Sequence, residues 1–306
     1  TAAPNAPCAE TENDKKFSAA IELYASYYPN DPDLPEILFR QGKFYYERHI
    51  YDPAVRLFGQ LLDRYPNSPY AGDAGELVLD SFNRAADYQN IELWARKLKS
   101  APAFKSPDAQ QRLNGLILGA VFKIGEQLAS QGQHECSAEA YVRAAKELPQ
   151  DPRAPKAYYN AGLEFSRAGQ LAKADAAYTT LVEKYPGSEE GALGAWNGAQ
   201  MYESIAQFRD AARYYEAYAE RFPKGPKASD AGYNAVLLRL AARDYKAAVT
   251  GGKRFTERFP KDPAVDDVYF LIGRAHEGEK AHVEAEGTYR EYLRRTKNPD
   301  RRVEAH

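Results

Sequence analysis

Cysteine is nearly absent from this chain: Cys8 and Cys136 are the only two in 306 residues. Two cysteines so far apart exclude the clustered pairs on which zinc sites and dithiol redox motifs depend; whether they bridge to each other the sequence leaves open. Long apolar runs are missing too, and none approaches the roughly 18–20 residues that a membrane-crossing helix requires. No charge sign dominates. The formal net charge of -2 lacks the basic bias of a typical nucleic-acid binder. The cationic stretch Arg294, Arg295, Lys297, Arg301 and Arg302 reads as a solvated helix end. Catalytic signatures are absent as well, with no glycine-rich phosphate loop, no Gly-x-Ser-x-Gly elbow and no His-Glu-x-x-His. The five histidines, His49, His134, His276, His282 and His306, are scattered over turns, helix starts and the C-terminus. Carboxylate pairs such as Glu189-Glu190 and Asp266-Asp267 fall at helix starts, where the helix dipole favours them. The sequence therefore predicts no enzyme, no metal and no cofactor.

What the chain has is an aromatic residue followed by proline, returning at a fixed stride. Tyr28-Pro29 and Tyr65-Pro66 are 37 residues apart, and so are Tyr185-Pro186, Phe222-Pro223 and Phe259-Pro260 in succession. Pro102 and Pro149 mark the gap. Self-similarity at such a period is the signature of a solenoid, in which each unit buries its apolar face only against its neighbours.

Residues 155–186 show the unit. Pro155 suits a first helical turn, where its missing N–H costs nothing. Tyr158, Ala161, Gly162 and Phe165 then follow helical spacing on one face. Gly169 stands where a left-handed residue ends a helix. A second helix from about Leu171 turns Ala174, Tyr178 and Leu181 inward, and Pro186 stops it. Each unit is thus two antiparallel helices, with Gly162 and Ala174 allowing close approach.

This pattern resembles the tetratricopeptide repeat, whose signature positions fall on Tyr158, Ala161, Gly162, Phe165, Ala174, Tyr178, Leu181 and Pro186. Further copies run through Leu38, Gln41, Gly42, Tyr45, Ala54, Phe58, Leu61 and Pro66; through Val121, Ile124, Gly125 and Tyr141; and through Ala195, Gly198, Ala199, Tyr202, Ala211, Tyr215 and Tyr218. The fit is looser in 229–260, where Gly252 replaces the aromatic, in 266–299, and most of all in 72–102. The resemblance implies an all-α fold: a right-handed superhelical solenoid of antiparallel helix pairs, about seven repeats plus an N-terminal partial repeat. The Tyr-Pro-x-Ser links, Tyr65-Pro66-Asn67-Ser68 and Tyr185-Pro186-Gly187-Ser188, are similar to repeats of bacterial envelope proteins of the barrel-assembly lipoprotein and Tol-Pal-associated division-coordinator types. That likeness implies a periplasmic or outer-membrane-associated scaffold for envelope assembly, or for motility or secretion machinery. Ala6-Pro7-Cys8 does not form a lipid-attachment box. A cytoplasmic adaptor and the docking region of a larger enzyme remain alternatives. Because Thr1 is not a methionine, either a removed targeting segment or a longer parent protein is expected.

The expected organisation is a flexible leader over 1–11, an N-terminal lobe over 12–102, an extended-helix insertion over 103–131, a C-terminal array over 118–299 and a tail over 300–306. The segment from Phe17 to Tyr28 reads as an isolated second helix. Ser106-Pro107-Asp108 predicts a helix start and a long helix over about 107–131.

The functional signal is a ladder at one position of each first helix: Phe39, Phe122, Tyr159, Trp196, Tyr233 and Phe270, broken only by Glu76. In this repeat class the first helix lines the concave face, so the ladder is expected to anchor a partner peptide or helix. Beside it lie Lys156, Asn160, Asn197 and Asn234. Lys156, Asn160 and Asn197 resemble half of a carboxylate clamp, but Asp230 and Asn234 stand where its other cations belong. The partners expected are therefore proteins, with no nucleic acid and no transmembrane segment.

Overall fold

The structure, a computed structural model, describes residues 10–296. Over that range it is all helical, with fifteen α-helices and one 3-10 turn, Pro102–Phe104. α1 (Glu12–Tyr27) stands alone at the start. First and second helices then alternate: α2 (Leu34–Glu47) and α3 (Tyr51–Arg64), α4 (Ala71–Arg84) and α5 (Tyr88–Leu98), α6 (Pro107–Ser130) and α7 (His134–Glu147). The series continues with α8 (Ala154–Arg167) and α9 (Leu171–Lys184), then α10 (Glu189–Ser204) and α11 (Phe208–Arg221). It closes with α12 (Ala228–Ala241) and α13 (Tyr245–Arg258), then α14 (Val265–Gly278) and α15 (His282–Arg295). The fold is a solenoid of helix pairs. Its packing forms two compact units, one holding 10–131 with Lys146–Asp151, the other Gly132–Ala145 with 152–296.

The stride comes from three local devices. Second helices end at Tyr28, Tyr65, Tyr185, Phe222 and Phe259, each with φ between -120° and -129°. The proline that follows each one disfavours the helical basin for the residue before it. Turns between paired helices pass through one left-handed residue, and these too are spaced by the stride: His49, Ala86, Gly132, Gly169, Ala206, Arg243 and Lys280, with φ from 55° to 75°. Five of the seven are not glycine, so the turn is imposed by the helix pair it closes.

The third device is a small residue on the first helix facing a ring on the second. A Cβ at Gly42 would lie 2.5 Å from Phe58 Cε1. One at Gly162 would lie 2.7 Å from both Cδ1 and Cζ of Tyr178, and Gly273 meets the Tyr289 ring likewise. The copy at 229–260 inverts the pair: Val236 takes the small position and Gly252 the large one. Ile272 from α14 reaches into the room Gly252 leaves, 2.5 Å from where its Cβ would be.

The 72–102 copy departs differently. Gly75 occupies the large first position, and the ring of Phe104, from the 3-10 turn, fills the space 2.6 Å from a Cβ built there. Gln110 Nε2 holds that turn by donating to Phe104 O at 2.7 Å and Lys99 O at 3.0 Å. α6 extends 24 residues from its cap, where Ser106 Oγ accepts from the Ala109 N–H.

The first helix begins where the N-terminal lobe was expected to, at residue 12, and residues 10 and 11 make hydrogen bonds at its start. Thr11 caps α1 in a reciprocal box with Asp14, and the Tyr45 hydroxyl donates to Glu10 Oε1 at 3.1 Å. α1 accordingly begins at Glu12, ahead of the second-helix segment expected from Phe17. Cys8, the rest of the leader and the 300–306 tail lie outside the described residues. Cys136 is exposed.

Candidate functional site

The six ladder residues divide between the units. Phe39 and Phe122 lie on α2 and α6 of the first, and Tyr159, Trp196, Tyr233 and Phe270 on α8, α10, α12 and α14 of the second. In the second unit α8 packs against α10 and α12 against α14, so its four rings lie on neighbouring first helices. On α4 Glu76 interrupts the first unit's series and pairs with Arg112 of α6.

All six rings are half-buried. For four of them one flank is covered because the second helix of the same pair offers an aromatic. Trp196 meets Tyr215 edge to face at 5.1 Å and Tyr218 at 5.9 Å between centroids. Phe270 lies 5.8 Å from Tyr289 and 5.5 Å from Tyr292. Phe39 lies 5.9 Å from Phe58 and stacks on Tyr70 at 5.2 Å. Tyr233 packs on the apolar cluster around Phe255, Val268 and Ile272. These four rings are therefore part of the packing on one side and half-buried as a whole. Lys227, at the α12 cap, holds its ammonium 4.1 Å from the Trp196 ring centroid. That cation–π contact was not legible, since nothing at the preceding or following stride repeats Lys227.

One of the amides makes a hydrogen bond between first helices. Asn197 Nδ2 donates to the Tyr159 hydroxyl at 3.1 Å, which joins α8 to α10. Asn197 also bears on the titration of the buried Tyr178, and Asn234 on that of Tyr215, one stride later. Burial pushes both phenols well above their ordinary pKa; Ser166 and then Asn197 pull Tyr178 partway back, while Glu203 raises Tyr215 further and Asn234 opposes it. Tyr215 in turn donates to Glu203 Oε2 at 3.0 Å. Asn197 thus ties its helix to the preceding pair through Tyr159. Asn160 is half-buried and Lys156 exposed.

The chemistry on offer is ring surface, amide hydrogen bonding and scattered charge, which suits a polypeptide partner. Among the described residues no group of three or more His, Cys, Asp or Glu is placed to hold a metal ion. No described helix is long and apolar enough to cross a membrane.

The tetratricopeptide repeat family model matches residues 36–68 and 156–188. The outer membrane lipoprotein family model matches residues 194–305, about a third of the chain and most of its second unit. No curated protein matches in sequence. Solved structures with a looser likeness include BtubC from P. vanneervenii, 17% identical over 68% of this chain and 88% of that one, with a TM-score of 0.37. A tetratricopeptide-repeat protein from Cytophaga hutchinsonii is 18% identical over 84% of this chain and 95% of its own, with a TM-score of 0.34. The MamA protein is 17% identical over 58% and 90%, with a TM-score of 0.35.

Proposed function

From the premise that this chain is a tetratricopeptide-repeat protein resembling envelope-associated types, a scaffold for protein–protein interaction, we propose that it helps assemble machinery of a bacterial cell envelope. The observation that carries the envelope reading is the match of the outer membrane lipoprotein family across 194–305. The partner is a peptide or helix laid along the first-helix face of α8, α10, α12 and α14. Tyr159, Trp196, Tyr233 and Phe270 serve as anchors, with Lys156, Asn160, Asn197 and Asn234 beside them; Phe39 and Phe122 extend the same use to the first unit. Rings pinned on one flank support this reading, because an anchor already fixed in orientation loses little entropy on binding.

The test is affinity capture from an envelope extract, comparing wild type with Trp196→Ala. Losing the Tyr215 and Tyr218 contacts should destabilise the chain by about 2 kcal/mol, roughly half of what removing a fully buried tryptophan costs. Capture is therefore run well below the variant's melting temperature. Loss of an envelope protein from the captured set, with helicity intact, supports the reading. An unchanged set would move the partner off this face.

A further inference from the structure

Helix α1 occupies the place of a second helix, yet among the described residues no first helix precedes it. Its position is fixed by the pairs that follow. Glu22 meets Arg56 of α3 at 3.8 Å, and from α2 Gln41 Nε2 donates to Ser18 Oγ and the Tyr45 hydroxyl to Asp14 O, both at 3.1 Å.

The stride identifies the residues that a first helix would cover. Phe17, Ala20 and Tyr24 stand one stride before Ala54, Leu57 and Leu61, all three fully buried in α3. The Ala54 position recurs as Ala174, Ala211, Ala248 and Ala285, again buried. In α1, by contrast, Phe17 is 59% exposed, Ala20 is exposed and Tyr24 is half-buried.

α2 is open on the matching side. Phe44 corresponds by stride to Ser81, Glu164, Met201, Leu238 and Ala275, which are buried on their own first helices. Met201 shows what this position faces, because Ser166 Oγ of the preceding first helix, α8, lies 3.5 Å from its sulfur. Phe44 is 42% exposed, and Arg48, paired with Asp14 at 2.8 Å, holds its guanidinium 5.0 Å from the ring centroid. One helix laid along α1 and beside α2, as α8 lies along α9 and beside α10, would cover Phe17, Ala20, Tyr24 and Phe44 together.

α1 does not have the surface of a cap. The outer face of a terminal unit is ordinarily polar, whereas Phe17, Leu23, Tyr27 and Tyr28 are each more than half exposed. Aromatic side chains carry about 150–250 Å² each, so this face offers on the order of 500 Å². A second copy of the chain could bring only the same face, and about 1,000 Å² in total falls short of the roughly 1,200 Å² of a stable interface. The walls also set the occupant's size. Phe17 replaces the alanine of the other pairs and Phe44 stands where Ser81 and Ala275 do, so the large residues are already on the α1 and α2 side. First helices such as α2, α8 and α12 run 14 residues, a length of about 21 Å.

We propose that the groove between α1 and α2 takes up an amphipathic helix of a partner polypeptide, about four turns long, with glycine or alanine facing Phe17 and Phe44. That helix completes the pair to which α1 belongs. The groove is separate from the first-helix ladder and stands or falls independently of it.

The test titrates the ¹⁵N-labelled full chain with a blocked peptide of the α10 sequence, Glu189–Ser204, a first helix rich in glycine and alanine. The comparator is the same peptide carrying Gly198→Leu, because Gly198 is the residue that meets a second-helix ring in the array. Saturable shifts at the amides of Phe17, Ala20, Tyr24 and Phe44 are expected, with binding about tenfold or more weaker for the comparator through overpacking. Phe17→Asp, at an exposed position, should abolish the shifts with helicity unchanged, and Phe44→Asp should do the same from the other wall. Sedimentation equilibrium without peptide should show a monomer. Absence of shifts up to the peptide's solubility limit, equal affinity for both peptides, shifts retained in Phe17→Asp, shifts confined to α8, α10, α12 and α14, or a dimer that Phe17→Asp dissolves would overturn the proposal.

Discussion

Replacing Gly162 by alanine adds one methyl group where the structure has no room for it. The new Cβ would sit 2.7 Å from both Cδ1 and Cζ of Tyr178, with Cε1 nearer still. Carbon atoms pack comfortably at about 3.5–4.0 Å, so the ring or helix α8 must retreat by about 1 Å. Tyr178 is 1% exposed and has nowhere to go. Overpacking of this kind costs about 1–3 kcal/mol, and a rigid ring pinned on all sides belongs at the upper end. Against it stands the better helix propensity of alanine, about 1 kcal/mol. The expected net is a destabilisation of about 2 kcal/mol.

Gly287 supplies the control, because it lies in α15 with nothing within 4 Å of a built Cβ. Only the propensity gain applies there, so Gly287→Ala should stabilise by up to about 1 kcal/mol. Urea midpoints should therefore move in opposite directions for the same chemical change. Native-state hydrogen exchange can localise the effects, since repeat stabilities combine through nearest neighbours. Protection should fall in α8 and α9 for the first variant and rise in α15 for the second. Repeating Gly162→Ala in a Tyr178→Leu background should cost less, because a flexible side chain can yield; a double-mutant cycle isolates that coupling. A neutral or stabilising Gly162→Ala would refute the account of how helix pairs close.

Two further outcomes follow from local geometry. Ala86 and Ala206 hold φ of 55° and 57° at exposed turns, where Gly132 and Gly169 serve elsewhere. Left-handed backbone costs a residue with a Cβ about 1–2 kcal/mol, offset by the greater freedom of glycine in the unfolded chain, about 0.4–1 kcal/mol. Ala86→Gly and Ala206→Gly should each stabilise by about 0.5–1 kcal/mol, additively in urea midpoints; a loss at either would show that the turn does not impose its φ. Hydrogen bonds from the Thr11 backbone and side chain, with Arg48 Nη1 at 2.8 Å, hold the Asp14 carboxyl below its ordinary 3.8. A depressed folded-state pKa contributes stability that is present above the unfolded value and lost as pH falls through the folded one. Protection of α1 amides should therefore fall as pH drops below about 3.8, and Asp14→Asn should flatten that dependence. An identical acid profile in the variant would remove Asp14 from the account.

The stride made the helix pairs legible because the Aro-Pro stops and the small-large partners are both written into single residues. The turns were legible by residue type only at Gly132 and Gly169, since His49, Ala86, Ala206, Arg243 and Lys280 adopt the same φ with no residue type to announce it. The start of α1 was written in Thr11-Glu12-Asn13-Asp14, a capping box with aspartate in place of the usual glutamate. The ladder's place on the first helices was legible, but its half-burial was not, because that depends on Tyr215, Tyr218, Tyr289 and Tyr292 reaching back from the second helix. The amide series was legible as a pattern; the hydrogen bond from Asn197 to the Tyr159 hydroxyl, which joins two first helices, was not. Gly252 was readable as a lost aromatic. That Ile272 repairs the loss while Gly251 stays open is a fact about three helices at once, which no single-repeat comparison contains.

The open space over Gly251, between α11 and α13, bears on which contacts the array needs. Second helices are joined across successive pairs by ions at the surface, such as Lys173 with Glu135 and Glu139, Arg213 with Asp175, and Arg254 with Glu220, each within 2.7–2.9 Å. Exposed pairs of this kind contribute about 0–1 kcal/mol each and tolerate small shifts, so they cannot set register. Register is set instead where the last arginine of one second helix caps a carbonyl of the one before: Arg221 to Val182 O and Arg258 to Ala219 O, one stride apart. Interlocked residues beneath, Tyr214 on Gly198 in one pair and Ile272 on Gly252 in another, act in the same way. Around Gly251 the arginine cap and the Ile272 plug both remain, so α13 keeps its place without a ring in that space. The cavity between α11 and α13 can therefore persist without collapse of the repeat.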